Sequence, residues 1–300
     1  MKQKLLIIGG SGLVGSTLTN YAHSNYDLHV TYNKNSPKNL FVDSTQIELL
    51  DDRTKIIELI KSLKPDIVVH TAAHPSVDIC EKNHKIADAL HVDVTQEIVN
   101  ICDSINSKLI YLSTDAVFEG KLNKKYTEDD TPNPINYYGK TKLEAEKIIL
   151  NVSQNVVLRT SVIYGWHEKS RFTNWILGYL KEKKSVDPFS DQYNTPTLVD
   201  DLSKAILEII KLEKFGLYHA TGKTCINRYE FAMELADRFG YDKTLIKSVT
   251  SAEKKQDAPR PISTCLDSNK LEKAINFEFS DLHAGISFIY KRSISDNTTL

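Results

Sequence analysis

The sequence lacks an excess of either charge and any long apolar run. Lysine plus arginine (38) nearly balance aspartate plus glutamate (39), so the formal net charge is −1. This balance gives no support to nucleic acid or a membrane surface as a partner. A bilayer-spanning helix needs about 20 apolar residues, and the apolar run Leu5–Ile8 near the N-terminus is ended by glycines. We therefore expect a cytoplasmic protein without a signal peptide.

Residue types that bind metals or form disulfides are also few or badly spaced. The four cysteines are scattered, which is typical of buried thiols in a reducing compartment rather than of a disulfide framework. Among nine histidines, His70 and His74 stand four apart. They fall in a predicted strand and the loop after it, so no zinc pair is expected. We predict no metal site.

Apolar strands and amphipathic helices alternate over the first half of the chain. Buried strands are predicted at 5–8, 28–32, 46–50, 66–70, 108–113 and 156–159, with helices over 13–23, 54–63 and 86–105. This alternation predicts an α/β fold, with a Rossmann-type doubly wound parallel sheet that has helices on both faces.

The alternation fades after Gly165, which indicates a smaller C-terminal substrate-binding lobe. We assign 1–165 to a dinucleotide-binding domain, to which 190–215 returns, and 166–189 with 216–292 to the lobe. Helices are predicted at 172–181, 202–212 and 229–239. The polar residues 293–300 indicate a flexible tail.

Three glycines follow the first predicted strand and open the first helix. Gly9 permits a tight turn, Gly12 lets a pyrophosphate approach the backbone, and Gly15 lets the helix pack against the sheet. The helix N-terminus adds free N–H groups for the phosphates. The predicted cofactor contacts in this turn are Gly9, Ser11, Gly12, Leu13 and Val14. An ordinary strand–turn–helix without a ligand is the alternative.

The end of the second strand should meet the adenosine ribose of the dinucleotide. The sequence there contains Asn33 and Lys34, and no carboxylate that could bind a 2′-hydroxyl. A lysine can instead neutralise a 2′-phosphate, so this segment favours NADP, with NAD as the alternative. Lys34 is equally compatible with a solvated loop position.

Tyr138 and Lys142 stand four residues apart, which places them on one face of a predicted helix. An ammonium beside a phenol is expected to lower the phenol's pKa from ~10, so that the tyrosine can exchange a proton with a carbonyl oxygen. Thr114 ends the fifth strand, at the edge where a parallel sheet binds ligands, and can donate a hydrogen bond to that oxygen. A surface Tyr–Lys pair, and turn capping by Ser113–Asp115, are the alternatives.

Several segments together resemble the extended short-chain dehydrogenases, and in particular their dTDP-4-dehydrorhamnose reductase branch. In family order they are GGSGLVG (9–15), HTAAHPSVDICE (70–81), STDAVF (113–118), YGKTKLEAE (138–146), LRTSVIYG (158–165), DQYNTPT (191–197) and APRP (258–261). The resemblance implies an enzyme that reduces a keto group on a nucleotide-activated sugar, such as a dTDP-4-keto-6-deoxy sugar, with NAD(P)H.

The resemblance also implies roles for individual residues. Thr114, Tyr138 and Lys142 match the catalytic residues, and Tyr138 and Lys142 would also contact the cofactor. Further implied cofactor contacts are Asp51, Asp52, Thr71, Ala72 and Ala73. Besides Thr114, the implied substrate contacts are Asp115, Val162 and Gln192 at the sugar, and Arg260 near the nucleotide diphosphate.

Two departures from the family pattern bear on the sugar rather than on the chemistry. Val162 stands where the reductases often have tryptophan, and Asn194 where they often have glycine.

The C-terminal part also resembles the regulatory subunit of methionine adenosyltransferase, which implies a non-catalytic NADP-binding partner protein. A nucleotide-sugar epimerase would use the same three catalytic residues. The oligomeric state is left open, with a homodimer as one alternative.

Overall fold

A computed structural model describes residues 2–37, 42–73, 76–121 and 124–295. Its central sheet has seven parallel strands, which pair in the order β7-β6-β5-β4-β1-β2-β3. The strands are β1 (Lys4–Ile8), β2 (Asp27–Tyr32), β3 (Asp43–Gln46), β4 (Ile67–His70), β5 (Lys108–Thr114), β6 (Val156–Thr160) and β7 (Gly216–His219). The predicted doubly wound α/β fold is confirmed.

The sheet is buried on both faces because its strands alternate apolar side chains toward two helical layers. Leu5 and Ile7 face one core with the helices α1 and α8, whereas Leu6 and Ile8 face another with α2, α5 and α6. The helices are α1 (Leu13–Ala22), α2 (Arg53–Leu63), α3 (Val77–Lys82), α4 (His84–Asp88), α5 (Val94–Ser104), α6 (Tyr137–Leu150), α7 (Arg171–Lys181), α8 (Val199–Lys211), α9 (Arg228–Phe239), α10 (Asn269–Ile275) and α11 (Leu282–Ser295). A π-helix, Ala89–Asp93, joins α4 to α5.

A third core lies in the C-terminal part of the chain, where α7, α9 and α11 pack together. Two small two-stranded sheets lie apart from the central sheet: Ile163–Tyr164 pairs with Thr197–Leu198, and Tyr193–Asn194 pairs with Ile226–Asn227. None of the helices in the described ranges has the length and hydropathy needed to traverse a bilayer.

The chain order puts a crevice where the strand order reverses, between β1 and β4. After β1 the chain moves outward through β2 and β3, and then returns to β4 on the opposite side of β1. The loops after these strands therefore diverge at the carboxyl edge, which is where open α/β sheets bind ligands. The glycine turn follows β1 at this point.

Two predicted element assignments are wrong. The third strand is Asp43–Gln46 rather than 46–50, because the apolar side chains of Ile47 and Leu49 enter the core only after the chain leaves the sheet. Residues 216–219 belong to the central sheet rather than to the lobe, since Gly216–His219 pairs with Val156–Arg159 of β6. Both strands lie at sheet edges, where a continuous apolar run is not required.

The predicted tail and cysteine states also need correction. Helix α11 runs to Ser295, so the chain is helical at 293–295, and residues 296–300 lie outside the described residues. Cys225 and Cys265 form a disulfide, whereas Cys80 and Cys102 are buried thiols as expected. The two bonded cysteines are 40 residues apart, so their proximity depends on how the C-terminal part folds.

Candidate functional site

A cavity of about 600 Å³ opens over the glycine turn. Gly9 has a φ of 93°, and a Cβ atom there would lie 2.7 Å from Thr71 Oγ1. The turn and the segment after β4 therefore approach as closely as a glycine allows, which leaves a cradle that fits the phosphates of a dinucleotide. The predicted cofactor residues in its lining are Gly9, Ser11, Gly12, Leu13, Val14, Asn33, Thr71, Ala72 and Ala73.

Other predicted cofactor residues lie outside this lining. Asp51 is exposed and Asp52 pairs with Lys55 at 3.3 Å, while Glu48 and Leu49 occupy the cavity wall. The reason is that β3 ends at Gln46, earlier than predicted. Residues 47–49 rather than 51–52 therefore lie beside the crevice.

Lys34 is exposed in the bend after β2 and is absent from the cavity wall as well. The cationic side chains that do line the cavity are Lys169 and Arg171, from the segment that leads into α7. The sequence pattern could not indicate these two residues, because they lie far along the chain from the glycine turn and the second strand.

Replacing Gly12 should affect dinucleotide binding, whereas replacing Gly15 should affect stability. We expect Gly12→Val to abolish dinucleotide binding and to leave the protein folded, because Gly12 lines the cavity and a Cβ atom there would lie 3.3 Å from the Gly9 carbonyl oxygen. Gly15→Val should destabilise the fold, since its Cβ atom would lie 2.2 Å from the same oxygen. Overpacking of this kind typically costs about 1–3 kcal/mol. Calorimetry with NADPH and thermal unfolding measure both effects, and unchanged NADPH affinity in Gly12→Val would contradict the first.

Tyr138 and Thr114 come together at the carboxyl end of β5. Asn136 caps α6 by accepting a hydrogen bond from the Gly139 N–H at 2.8 Å. A Cβ atom on Gly139 would lie 2.2 Å from the Ala116 carbonyl oxygen, so only glycine lets the helix approach this turn so closely. The approach places the Tyr138 phenol near the Thr114 hydroxyl. Both residues line a second cavity of about 300 Å³.

The phenol of Tyr138 is held in its protonated form. Burial raises the pKa of Tyr138 well above its ordinary value, the nearby Thr114 hydroxyl opposes this shift, and the Asp115 carboxylate adds to it. The expectation that Lys142 lowers this pKa is therefore wrong for this structure. A protonated phenol is the form that can donate a proton to a carbonyl oxygen.

Lys142 is fully buried and lines neither cavity. Its ammonium donates hydrogen bonds to the Tyr111 hydroxyl and to the Leu112 carbonyl oxygen, both at 2.6 Å. Burial lowers the pKa of Lys142 to about 7, although the nearby Glu146 carboxylate opposes this shift. The lysine can therefore gain or lose a proton near neutral pH.

A buried ion pair holds α6 against the strands that carry these groups. Glu146 of α6 accepts hydrogen bonds from the Arg159 guanidinium of β6, at 2.7 Å for the shortest, and from the Ser113 hydroxyl of β5. Arg159 and Glu146 are only 3% and 2% exposed. This pair fixes the orientation of the helix that carries Tyr138 and Lys142.

Asp115 joins the catalytic strand to the C-terminal part of the chain. Its Oδ2 accepts hydrogen bonds from Ser161 at 2.7 Å, Asn194 at 2.8 Å and Thr264 at 2.5 Å. Its Oδ1 accepts one from the Thr114 hydroxyl at 3.1 Å. The asparagine that departs from the family pattern therefore has a structural partner, and the Asp115 carboxylate is occupied by protein donors.

The remaining predicted substrate contacts divide into two groups. Gln192 and Arg260 line the 300 Å³ cavity, where Arg260 pairs with Asp78 at 2.8 Å. Val162 does not line it, and instead packs against the core of α7, α9 and α11. Its φ of 42° is a left-handed conformation that is costly for a β-branched residue.

The sequence pattern did not indicate two further residues of this cavity. Arg228 and Phe172 both contribute to its wall. Arg228 precedes the predicted helix 229–239 and Phe172 begins the predicted helix 172–181, so each was interpreted only as part of a helix or its boundary. His74, the second residue of the excluded metal pair, lies outside the described residues.

A family model described as RmlD substrate binding domain matches residues 3–294. The chain belongs to the RmlD family. The dTDP-4-dehydrorhamnose reductase of Aggregatibacter actinomycetemcomitans is similar to it, at 29% identity over 290 residues that cover 93% of this chain and 95% of that protein. The predicted family resemblance is thus confirmed.

Two further relatives of this RmlD-family chain match the resemblances described above. Methionine adenosyltransferase 2 subunit beta of Xenopus tropicalis is 30% identical over 282 residues, covering 90% of this chain and 82% of that protein. The crystal structure of dTDP-4-dehydrorhamnose reductase from Bacillus anthracis, in complex with NADP, is similar with a TM-score of 0.87 and 24% identity. It covers 97% of this chain and 100% of that one, which shows the shared fold.

Proposed function

We propose that this RmlD-family protein reduces the keto group of a nucleotide-activated sugar, such as a dTDP-4-keto-6-deoxy sugar, with NADPH. The observation that carries this proposal is the presence of Tyr138 and Thr114 side by side in the wall of the 300 Å³ cavity. The pair lies at the same carboxyl edge of the sheet as the dinucleotide cradle. The reductase among the relatives supports the same chemistry.

In this reaction the cofactor supplies a hydride to the carbonyl carbon. The turn from Gly9 to Val14 would hold its pyrophosphate. Thr114 donates a hydrogen bond to the carbonyl oxygen, and Tyr138 donates its proton to that oxygen as negative charge develops there. The buried Lys142 supports this arrangement indirectly, because its hydrogen bonds to the Tyr111 hydroxyl and the Leu112 carbonyl oxygen tie α6 to the strand that ends at Thr114. Without substrate the Thr114 hydroxyl donates its only proton to Asp115 Oδ1, so this proton must turn from the carboxylate to the carbonyl oxygen when the substrate binds.

An assay across a panel of nucleotide 4-keto-sugars, each with NADPH and with NADH, tests this function. We expect stoichiometric oxidation of NADPH with at least one keto-sugar. Conversion of a sugar without net consumption of NADPH, by protein that co-purifies with its dinucleotide, would indicate an epimerase instead. Binding of dinucleotide with no reduction of any keto-sugar would overturn the proposal.

The preference between the two nicotinamide cofactors should depend on one lysine. We expect NADPH to bind more tightly than NADH, because cationic side chains line the cofactor cavity. Lys169 lies in the cavity wall with Ser11 and Asn35, whereas Lys34 is exposed outside it. Lys169→Ala should therefore lower NADPH affinity about tenfold, the range of one charge-assisted hydrogen bond, and Lys34→Ala should have the smaller effect.

Calorimetric titration of both variants with NADPH and with NADH measures this preference. NADH affinity should stay near the wild-type value in each variant, because NADH carries no 2′-phosphate for a lysine to neutralise. A strong preference for NADH that neither substitution alters would contradict the expected cofactor choice.

A second candidate is a regulatory subunit that binds NADP without catalysis. It is favoured by the 30% identity to a methionine adenosyltransferase subunit beta over most of both chains. Intact Thr114, Tyr138 and Lys142 do not exclude it. The two functions separate when the protein is mixed with a methionine adenosyltransferase catalytic subunit. A change in the activity of that enzyme, together with no reduction of any keto-sugar, would favour the regulatory function.

A further inference from the structure

Three cationic side chains line the 300 Å³ cavity, and two of them already have acidic partners. The Lys254 ammonium lies 2.6 Å from the Asp187 carboxylate. The Arg260 guanidinium lies 2.8 Å from the Asp78 carboxylate, and it also donates to a backbone carbonyl. The third cation is Arg228, at the start of α9.

Arg228 differs from the other two because no described residue forms an ion pair with its guanidinium or accepts a hydrogen bond from it. Its side chain is partly buried over the Phe172 ring, at 5.4 Å from the ring centroid. Asp115 is the carboxylate that raises the pKa of Arg228. Its oxygens already accept hydrogen bonds from four hydroxyl and amide donors. Its guanidinium therefore has unused donors beside the cavity.

The charge on Arg228 persists at neutral pH. Burial and the neighbouring Arg260 lower the pKa of Arg228 to about 10, while Asp115 opposes the shift. Removing a charged group from water without giving it a partner is costly. An anionic group that enters the cavity would relieve this cost, and a guanidinium matches the oxygens of a phosphate with its planar fork of donors.

We propose that Arg228 binds the diphosphate of the nucleotide-sugar substrate. This inference rests on the proposed function, because it assigns the anion to the substrate of the same cavity. Tyr138 and Thr114 line the part of the cavity where the keto group reacts, and Arg228 holds the charged end of the substrate against Phe172. The lobe thus contributes a binding residue from α9, which the catalytic strand and α6 do not supply.

Calorimetric titration with three ligands tests the assignment. dTDP and UDP carry the diphosphate, whereas thymidine does not. Arg228→Met should weaken dTDP binding roughly ten- to hundredfold, the range of a lost charge-assisted hydrogen bond, and leave thymidine binding unchanged. Arg228→Lys should bind dTDP with intermediate affinity, since it keeps the charge but loses the fork of donors. NADPH affinity near the wild-type value shows that each variant is folded.

Arg238→Met is the matched control. Arg238 lies on the same helix and over an aromatic ring, at 4.8 Å from the Tyr290 centroid, but it is exposed and outside the cavity. Its replacement removes the same charge and should leave dTDP affinity unchanged. Unaltered dTDP affinity in Arg228→Met, in a protein whose wild type reduces a keto-sugar, overturns this inference and leaves the proposed function standing. Failure of the wild type to bind dTDP or UDP overturns both.

Discussion

Replacing Tyr138 with phenylalanine should lower kcat for keto-sugar reduction by about 10²–10⁴-fold, the usual contribution of a positioned general acid. Only the hydroxyl is removed, so folding and NADPH affinity should stay near their wild-type values. The effect should appear in kcat and kcat/KM together, because the proton is transferred only in the transition state. Steady-state kinetics with NADPH and the reactive keto-sugar give both constants.

Tyr137→Phe provides a matched control for this experiment. Its hydroxyl donates to the Asp88 carboxylate at 2.9 Å, and the residue lines neither of the two cavities. Loss of this hydroxyl should therefore leave the rate close to that of the wild type. A Tyr138→Phe variant that turns over as fast as the Tyr137→Phe control would show that another group donates the proton.

Replacing Lys142 with methionine should reduce both catalysis and cofactor binding. The hydrogen bonds that tie α6 to β5 through the Tyr111 hydroxyl and the Leu112 carbonyl oxygen would be lost, so Tyr138 and Thr114 would be less well positioned and kcat should fall by about 10²-fold. The family resemblance also implies that this lysine contacts the nicotinamide ribose, so NADPH affinity should fall too. Lys140→Met, which changes an exposed lysine on the same helix, should affect neither quantity. Unchanged NADPH affinity in Lys142→Met would remove the cofactor role.

The same substitution should alter the pH dependence of stability. Burial lowers the pKa of Lys142 to about 7 in the folded state, while an unfolded lysine has a pKa of about 10.4. Between these two values the unfolded chain binds more protons than the folded chain, so the contribution of Lys142 to the free energy of unfolding rises with pH. Below pH ~7 the lysine is protonated in both states, and its burial penalty is fully present.

Lys142→Met lacks this titration, so the wild type should gain stability relative to the variant as the pH rises from about 7 to about 10. Urea unfolding of both proteins at several pH values in this window measures the difference. The Lys140→Met control should show no such trend relative to the wild type. A difference between wild type and Lys142→Met that does not change with pH would mean that burial does not depress this pKa.

Much of the fold could be predicted because the inner strands are covered on both faces. The segments 66–70, 108–113 and 156–159 have continuous apolar runs for this reason, and each lies within a residue of an observed strand. The two edge strands lack such runs. The side chains of Asp43–Gln46 are mostly exposed, and those of Gly216–His219 are partly exposed and partly buried, so their pairing was not evident from composition. Only contact with the neighbouring strand identifies them.

The sequence by itself determined the parts of the site whose members are close in the chain. The glycine turn lines the cofactor cavity, and the spacing of Tyr138 and Lys142 on one helix follows from 3.6 residues per turn. Thr114 could be placed beside them because strands of a parallel sheet end at one edge. Each of these relations depends on local geometry and a regular sheet.

The tertiary structure alone decided the partners and the environments of these groups. Tyr111 rather than Tyr138 binds the Lys142 ammonium, and burial reverses the expected shift in the pKa of Tyr138. Lys169 reaches the 600 Å³ cavity and Arg228 reaches the 300 Å³ cavity from segments remote in sequence. Burial and long-range contacts exist only after the chain has folded, because they depend on which distant segments exclude water from a given group.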